Sequence, residues 1–449
     1  WDQDIHLVAA DPIKNASNIM YTLHFYAATH KQWLRDRADS ALKMGIPIFI
    51  SESAGMQATG DGPINYEEWR LWIDWAEQRG LSWITWSVSD KEETCSVLQK
   101  SASSTGNWKE TDLKESGIKA RDLIRYYNDN KNSLKGKDLY PVGRTAITSD
   151  GALELISSAS YFAFSYEGDS CQLFVSLDSL QDHNYLQYEI DAVYQKRIRI
   201  SGKDNAPLTL AAAGEGKHTI RIYKTTEAQT GPLFIQRIQG DNLAPIKPSR
   251  APFIEFIGNS ITCGAAADVS EVPCGLGEYQ DQHNAYYAYG PRIARALGAN
   301  FMVSSVSGIG VYRNWNSNGP TMPQVYEHTD LKMNSARNWD FSIYNPKIVS
   351  IALGTNDFSD GDGKAKRLPF DSADFVNQYI RFVQLIKSKY PLARILLLSS
   401  AVIHGQKRVT LQNCLSAVKR AVDKNYPSDL PVTTCFLKEM TARGCSGHP

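Results

Sequence analysis

The chain has 449 residues, more than one ordinary core organises, so several domains are expected. Its 42% apolar and 21% charged content is that of a globular chain and excludes a disordered one. Lys+Arg 48 balances Asp+Glu 48, so the net charge points to neither nucleic acid nor an anionic membrane, and no apolar run reaches the roughly 18 residues of a membrane-spanning helix.

The 22 Tyr and 10 Trp supply flat rings of the kind sugar-binding surfaces use, although ordinary cores use them too. Seven cysteines are too few for a disulfide scaffold. Cys263 and Cys274 are close enough in sequence to close a small loop; the alternative is two buried thiols. The first residue is not Met and the chain stops after His448-Pro449, so both ends read as cut. The absence of a signal peptide therefore carries no information.

Residues 1–128 alternate two kinds of stretch. Ile19–Ala27 is an apolar, β-rich run, and a charged amphipathic stretch follows from Lys31 to Met44. Ile46–Ile50 is a second strand candidate. Tyr66–Gln78 reads as a helix with Trp69, Trp72 and Trp75 spaced three apart, and Leu81–Val88 reads as a third strand. This is the grammar of a parallel α/β sheet or barrel. Asn128–Lys137 is polar and turn-rich, and a domain boundary is placed there.

From 138 to 247 the pattern changes to short alternating runs: ALELI, YFAFSYEG, QLFVSLD, YLQYEID, KRIRISG, HTIRIYKTTE and PLFIQRIQG. Turn residues separate them, which predicts an antiparallel β-sandwich. Ala244–Pro252 is a Pro-rich joint to a last domain, 248–449. There Phe253–Gly258, Lys347–Leu353 and Ala393–Ser399 read as buried parallel strands. Ala285–Leu297, Phe375–Lys389 and Leu411–Asn425 read as helices, giving a doubly wound, three-layer α/β domain.

Three short blocks of that domain stand where a parallel-sheet hydrolase needs them. Gly258-Asn259-Ser260-Ile261 ends a strand, so Ser260 is a candidate nucleophile in the crevice at a strand's carboxyl end. Ser307-Gly308-Ile309-Gly310 offers a backbone N–H for close approach, from Gly308 or equally from Gly310. Gly354-Thr355-Asn356-Asp357 follows another buried strand, and Asn356 could aim an amide at a developing oxyanion. His448 is the candidate general base. Each block alone is a common turn or cap; their joint order is the signal.

In that order the blocks resemble the SGNH (GDSL-like) hydrolases. The preceding sandwich, with FIGNSITCG and GIGVYRN, narrows the resemblance to carbohydrate esterase family 2, in which a jelly-roll precedes the SGNH domain. The resemblance covers about 138–449 and implies removal of O-acetyl groups from plant cell-wall polysaccharide such as xylan or glucomannan. It implies Ser260 as nucleophile, His448 as base, and an oxyanion hole from Gly308, Asn356 and the Ser260 N–H. It also implies a secreted protein. Relatives place an Asp three residues before the His, where this chain has Cys445. The expectation is a Ser–His dyad with a backbone carbonyl orienting the imidazole; an acid such as Glu439 or Asp357 completing a triad is the alternative.

Residues 1–128 resemble the last β/α units of a glycoside hydrolase family 5 cellulase barrel. His24-Phe25-Tyr26, Glu52 and Trp86 end successive strand candidates. The resemblance implies Glu52 as nucleophile, His24 and Tyr26 as its neighbours, and Trp86 as a sugar platform. Retaining glycosidases need two carboxylates about 5 Å apart, and the family's acid/base Glu lies on an earlier strand. The reading is thus a cellulase–esterase fusion, with a partial TIM barrel ahead of the esterase. A binding module with a vestigial esterase site and an endoglucanase fragment are the rival functions. No metal-ligand spacing is evident, and no cofactor, nucleic acid or membrane partner is expected. Acetylated polysaccharide is the expected partner, with cellulose as a further candidate.

Overall fold

The computed structural model describes all residues except 1, 179–180, 202–206, 334, 364–366, 441–444 and 446–449, with the side chains of 2 and 128–131 also left aside. The chain forms two compact units, Trp1–Lys131 and Asn132–Pro449.

In the first unit, β1 (Tyr21–Tyr26), α1 (Gln32–Lys43), β2 (Ile48–Ala54), α2 (Tyr66–Gln78) and α3 (Glu115–Lys131) follow in order, and β1 pairs with β2 in parallel. The Asn65 side chain caps α2 by accepting from the Glu68 N–H, and Glu67 and Glu68 sit in its first turn, where acidic groups favour a helix start. Trp69, Trp72 and Trp75 are buried, and Trp72 stacks on Phe25 of β1 with centroids 4.3 Å apart. Leu81–Val88 departs from the expected strand. The Ile84 and Trp86 N–H groups donate to β2 carbonyls, but only the Ile50–Trp83 bridge forms. None of residues 81–88 is buried, so the run lacks the two-sided cover of an interior parallel strand.

The turn-rich stretch 128–137 is not a loop: α3 runs to Lys131, and Ser133–Lys135 pairs as a strand of the second unit. Polar side chains do not prevent a helix end or a short edge strand when the backbone hydrogen bonds are met.

The second unit opens with antiparallel strands forming a 10-stranded sheet among the described residues. Its long members are β3 (Tyr161–Leu177), β4 (His183–Ile190), β5 (Lys217–Lys224) and β6 (Leu233–Ile246). Two runs expected as separate strands, YFAFSYEG and QLFVSLD, are the single strand β3. Gly168, at φ +104°, bends that strand without ending it. Leu153, Phe162, Phe164, Leu173, Ile222 and Ile235 fill the core of this part.

The α/β part carries β7 (Phe253–Gly258), β8 (Asn300–Ser305), β9 (Ile348–Ala352), β10 (Arg394–Leu398) and β11 (Thr433–Cys435). All pair in parallel, in the order β8-β7-β9-β10-β11. Its helices are α4 (Ser260–Cys263), α5 (Tyr289–Ala296), α6 (Ser372–Lys389) and α7 (Gly405–Asn425); Met322–Val325 adds a short turn of helix. The helix expected over Ala285–Leu297 starts later, at Tyr289, after a 3₁₀ turn at Ala285–Tyr287. Pro291 belongs in a first turn, where its missing N–H costs nothing.

The two parts of this unit share one apolar core. Val142, Ile156, Tyr161 and Tyr223 pack in the same cluster as Phe253, Ile254 and Phe301. Arg144, fully buried, crosses between them. It donates to Ser304 Oγ (3.0 Å) and to the His328 carbonyl (2.7 Å), and its guanidinium is 4.0 Å from Glu255 on β7. Among the described residues no helix is long and apolar enough to cross a membrane.

Candidate active site

Gly258, Ser305 and Ala352 stand side by side at the carboxyl ends of β7, β8 and β9. The loops that follow therefore leave the sheet at one level, the position at which open α/β sheets bind ligands. Ser260 leads α4 from the central strand, Gly308 lies in the loop of one neighbour, and Asn356 lies in the loop of the other. A Cβ on Gly258 would meet Thr262 Oγ1 at 2.0 Å, so the tight turn into α4 requires glycine. The buried Asn259 caps α4 by accepting from the Ile261 N–H, which leaves Ser260 half-buried at the helix start.

The structure separates the two glycines left equivalent by sequence. Gly310 is a packing residue: a Cβ there would lie 2.0 Å from the Arg313 carbonyl, and its N–H donates to Asn314 Oδ1. Gly308 has φ +73°, borders a cavity of about 510 Å³ and, among the described residues, spends its N–H on no acceptor. The Asn356 amide donates one N–H to the Ile309 carbonyl at 2.8 Å, which locks the side chain and leaves the second N–H for another acceptor. The exposed Trp315 also lines the cavity; its N–H bonds the Gly308 carbonyl at 2.8 Å.

Both acids considered for a triad are engaged elsewhere. Asp357 is fully buried and accepts the N–H groups of Val311, Tyr312 and Arg313, so it shapes the loop after Gly308. Glu439 pairs with the His404 ring. His448 itself lies outside the described residues. Cys263 and Cys274 do not pair with each other. Cys274 forms a disulfide with Cys445, 171 residues away, and Cys263 is a buried thiol. Sequence proximity misled here because tertiary distance, not separation along the chain, decides pairing. Sequence reasoning also passed over Glu227, which is buried against the Gly308 loop.

In the first unit, Glu52 at the end of β2 accepts from the Tyr26 hydroxyl at 2.6 Å, and His24 Nδ1 stands 3.8 Å from its other oxygen. Burial, then the Glu52 carboxylate, pushes the Tyr26 phenol up, so it stays a proton donor to Glu52. His24 is also fixed by Ser51 Oγ at 2.9 Å, and the Trp86 ring is exposed. His24, Tyr26 and Glu52 are brought together at the ends of β1 and β2, and the Trp86 N–H bonds the Ser53 carbonyl beside Glu52. Among the described residues no second carboxylate hydrogen-bonds to the cluster, although the Glu93 charge also helps raise the Tyr26 phenol.

Three regions of the chain match family models. Residues 1–92 match Cellulase (glycosyl hydrolase family 5), 141–248 match Carbohydrate esterase 2 N-terminal, and 256–428 match the GDSL-like Lipase/Acylhydrolase family. The chain thus joins a region similar to carbohydrate esterase family 2 to a segment similar to glycoside hydrolase family 5. The segment is 44% identical over 125 residues to Endoglucanase A of Evansella cellulosilytica, covering 28% of this chain but 25% of that protein. The chain thus spans about a quarter of the length of such relatives. The second unit is 27% identical over 297 residues to an acetylxylan esterase / glucomannan deacetylase of Cellvibrio japonicus, covering 63% of this chain and 77% of the relative. It shares its fold with a family two carbohydrate esterase from Clostridium thermocellum solved in complex with cellohexaose, at TM-score 0.59 and 24% identity, over 71% of this chain and 93% of that one.

Proposed function

We propose that the second unit is an O-acetyl esterase acting on plant cell-wall polysaccharide, with xylan and glucomannan as the substrate class. The observation that supports this is the common level of three adjacent strand ends: β7, which leads into Ser260, lies between β8 and β9, whose following loops carry Gly308 and the Asn356 amide with one N–H to spare. In this reading Ser260 Oγ attacks the ester carbonyl while His448 takes its proton. The carbonyl oxygen becomes an oxyanion held by the N–H groups of Ser260 and Gly308 and by Asn356 Nδ2. Collapse breaks the bond to the sugar oxygen, which takes the proton from His448 and leaves as the sugar hydroxyl, and an acetyl-enzyme remains. Water then repeats the sequence and releases acetate. The exposed Trp315 beside the cavity offers a flat face to a sugar ring. The Cys274–Cys445 disulfide and the polysaccharide substrate both suit an oxidising, extracellular setting.

The test is turnover of p-nitrophenyl acetate and release of acetate from acetylated xylan, by the wild type and by Ser260→Ala. Turnover in the wild type with nearly complete loss in the variant is expected. A variant that still turns over the acetyl ester removes Ser260 from the mechanism.

A further inference from the structure

Glu227 belongs to the β-sandwich segment, just after β5, yet it is only 1% exposed because it enters the α/β part. Its Oε2 accepts the Ser307 N–H at 2.7 Å, and the Cys263 thiol of α4 lies 3.5 Å from the same oxygen. One carboxylate oxygen thus touches both the loop that leads to Gly308 and the helix that starts at Ser260. Lys224 Nζ supports it from behind, donating to the Glu227 carbonyl (2.7 Å) and to the Thr226 carbonyl and hydroxyl (2.9 Å each). Burying such groups is costly. Burial pushes the Glu227 carboxyl up and the Lys224 amine down to about 7, while each favours the charged form of the other.

We infer that Glu227 is a positioning residue for the oxyanion hole: by holding the Ser307 N–H it sets the peptide that presents the Gly308 N–H to the reacting carbonyl. The Ser307–Gly308 peptide follows directly from the pinned amide, and the Tyr279 hydroxyl holds the Ser307 side chain at 2.8 Å. A hydrogen bond from an N–H to a carboxylate is stronger than one between neutral groups, which suits a loop that must not yield as charge develops on its ligand.

This inference rests on the acyl-transfer reading above. The control is therefore wild type against Ser260→Ala: no difference between them sinks that reading, and only when they differ do the Glu227 variants bear on this one. Glu227→Gln keeps an acceptor of the same size for the Ser307 N–H, whereas Glu227→Met fills the space with no comparable acceptor. With p-nitrophenyl acetate, E227Q should keep kcat within about tenfold. E227M should lose at least about thirtyfold in kcat with KM within about twofold, because the contact is felt in the transition state. A kcat for E227M within about threefold of wild type overturns the inference, as does an equal loss in both variants or a loss confined to KM. Amide hydrogen exchange on the wild type gives a reading that needs no variant to fold. Strong protection of the Ser307 N–H is expected, and exchange at the rate of an open loop overturns the inference.

Discussion

The Cys274–Cys445 disulfide should control both the stability of the esterase unit and its turnover. The perturbation is the double change Cys274→Ser and Cys445→Ser, which leaves no unpaired thiol. The bridge closes a loop of 171 residues. Loop-closure entropy for that length sets a ceiling of about 5 kcal/mol, and measured disulfides generally give about 2–4 kcal/mol. With a urea slope of about 3 kcal/mol/M, the midpoint of the unit should fall by roughly 1 M. The second effect is catalytic. His448, the base of the proposed mechanism, follows Cys445 by only three residues in the sequence, so the bridge anchors the chain just ahead of it. Cys274 belongs to the loop whose Tyr279 touches Ser307, so the same loop braces the residue before Gly308 and is bonded to Cys445, three positions before the proposed base in sequence. Turnover of p-nitrophenyl acetate should therefore fall by more than tenfold under conditions where the variant is still folded. Urea unfolding followed by tryptophan fluorescence and steady-state kinetics read the two effects. A midpoint shift worth less than about 1 kcal/mol, together with unchanged kcat, would refute the reasoning.

Asn356→Ala should lower kcat by roughly a hundredfold to a thousandfold with little change in KM, as loss of one oxyanion donor does; steady-state kinetics with an effect confined to KM would make Asn356 a sugar contact. Activity should rise with pH as the proposed base His448 loses its proton, and the disulfide-bonded Cys445, which stands where relatives place an Asp, supplies no negative charge; a pH–rate profile that lacks an acid limb would remove His448 from the mechanism. Arg144→Met should destabilise the second unit by about 3–5 kcal/mol, since Glu255 would be left buried without its cation, and thermal unfolding measures this. The chain should not hydrolyse carboxymethylcellulose, as Glu52 has no second carboxylate paired with it among the described residues; hydrolysis abolished by Glu52→Ala would show that an acid reaches it.

The sequence made the strands and most helices legible wherever periodicity was strong. The run Tyr66–Gln78 was read with its observed bounds because its tryptophans repeat at helical spacing and Asn65 caps it. The motif Gly258-Asn259-Ser260 located the turn into α4, since only glycine tolerates Thr262 so close. Short or weakly patterned elements escaped: β8 (NFMVSS) mixes apolar and polar residues, and α3 has a polar face that resembles a linker. Residues that act through tertiary contact left no local trace. Nothing around Glu227 in KTTEAQT announces that its carboxylate meets Ser307, 80 residues on, and nothing near Cys274 announces Cys445. Asp357 illustrates the reverse case. An acid beside an oxyanion residue looks catalytic in sequence, and only its three backbone donors show it to be a loop brace.

The apolar core that runs through the antiparallel-sheet part and the α/β part, stitched by Arg144, decides how this protein can be taken apart. Modules strung on flexible linkers can be exchanged one at a time, in the laboratory or by recombination. Here a cut near Pro248 would bare Val142, Tyr161 and Tyr223 on one piece and Phe253, Ile254 and Phe301 on the other, producing two sticky halves. The heritable and engineerable cassette is therefore the whole stretch from Asn132 onward, to be moved as one piece.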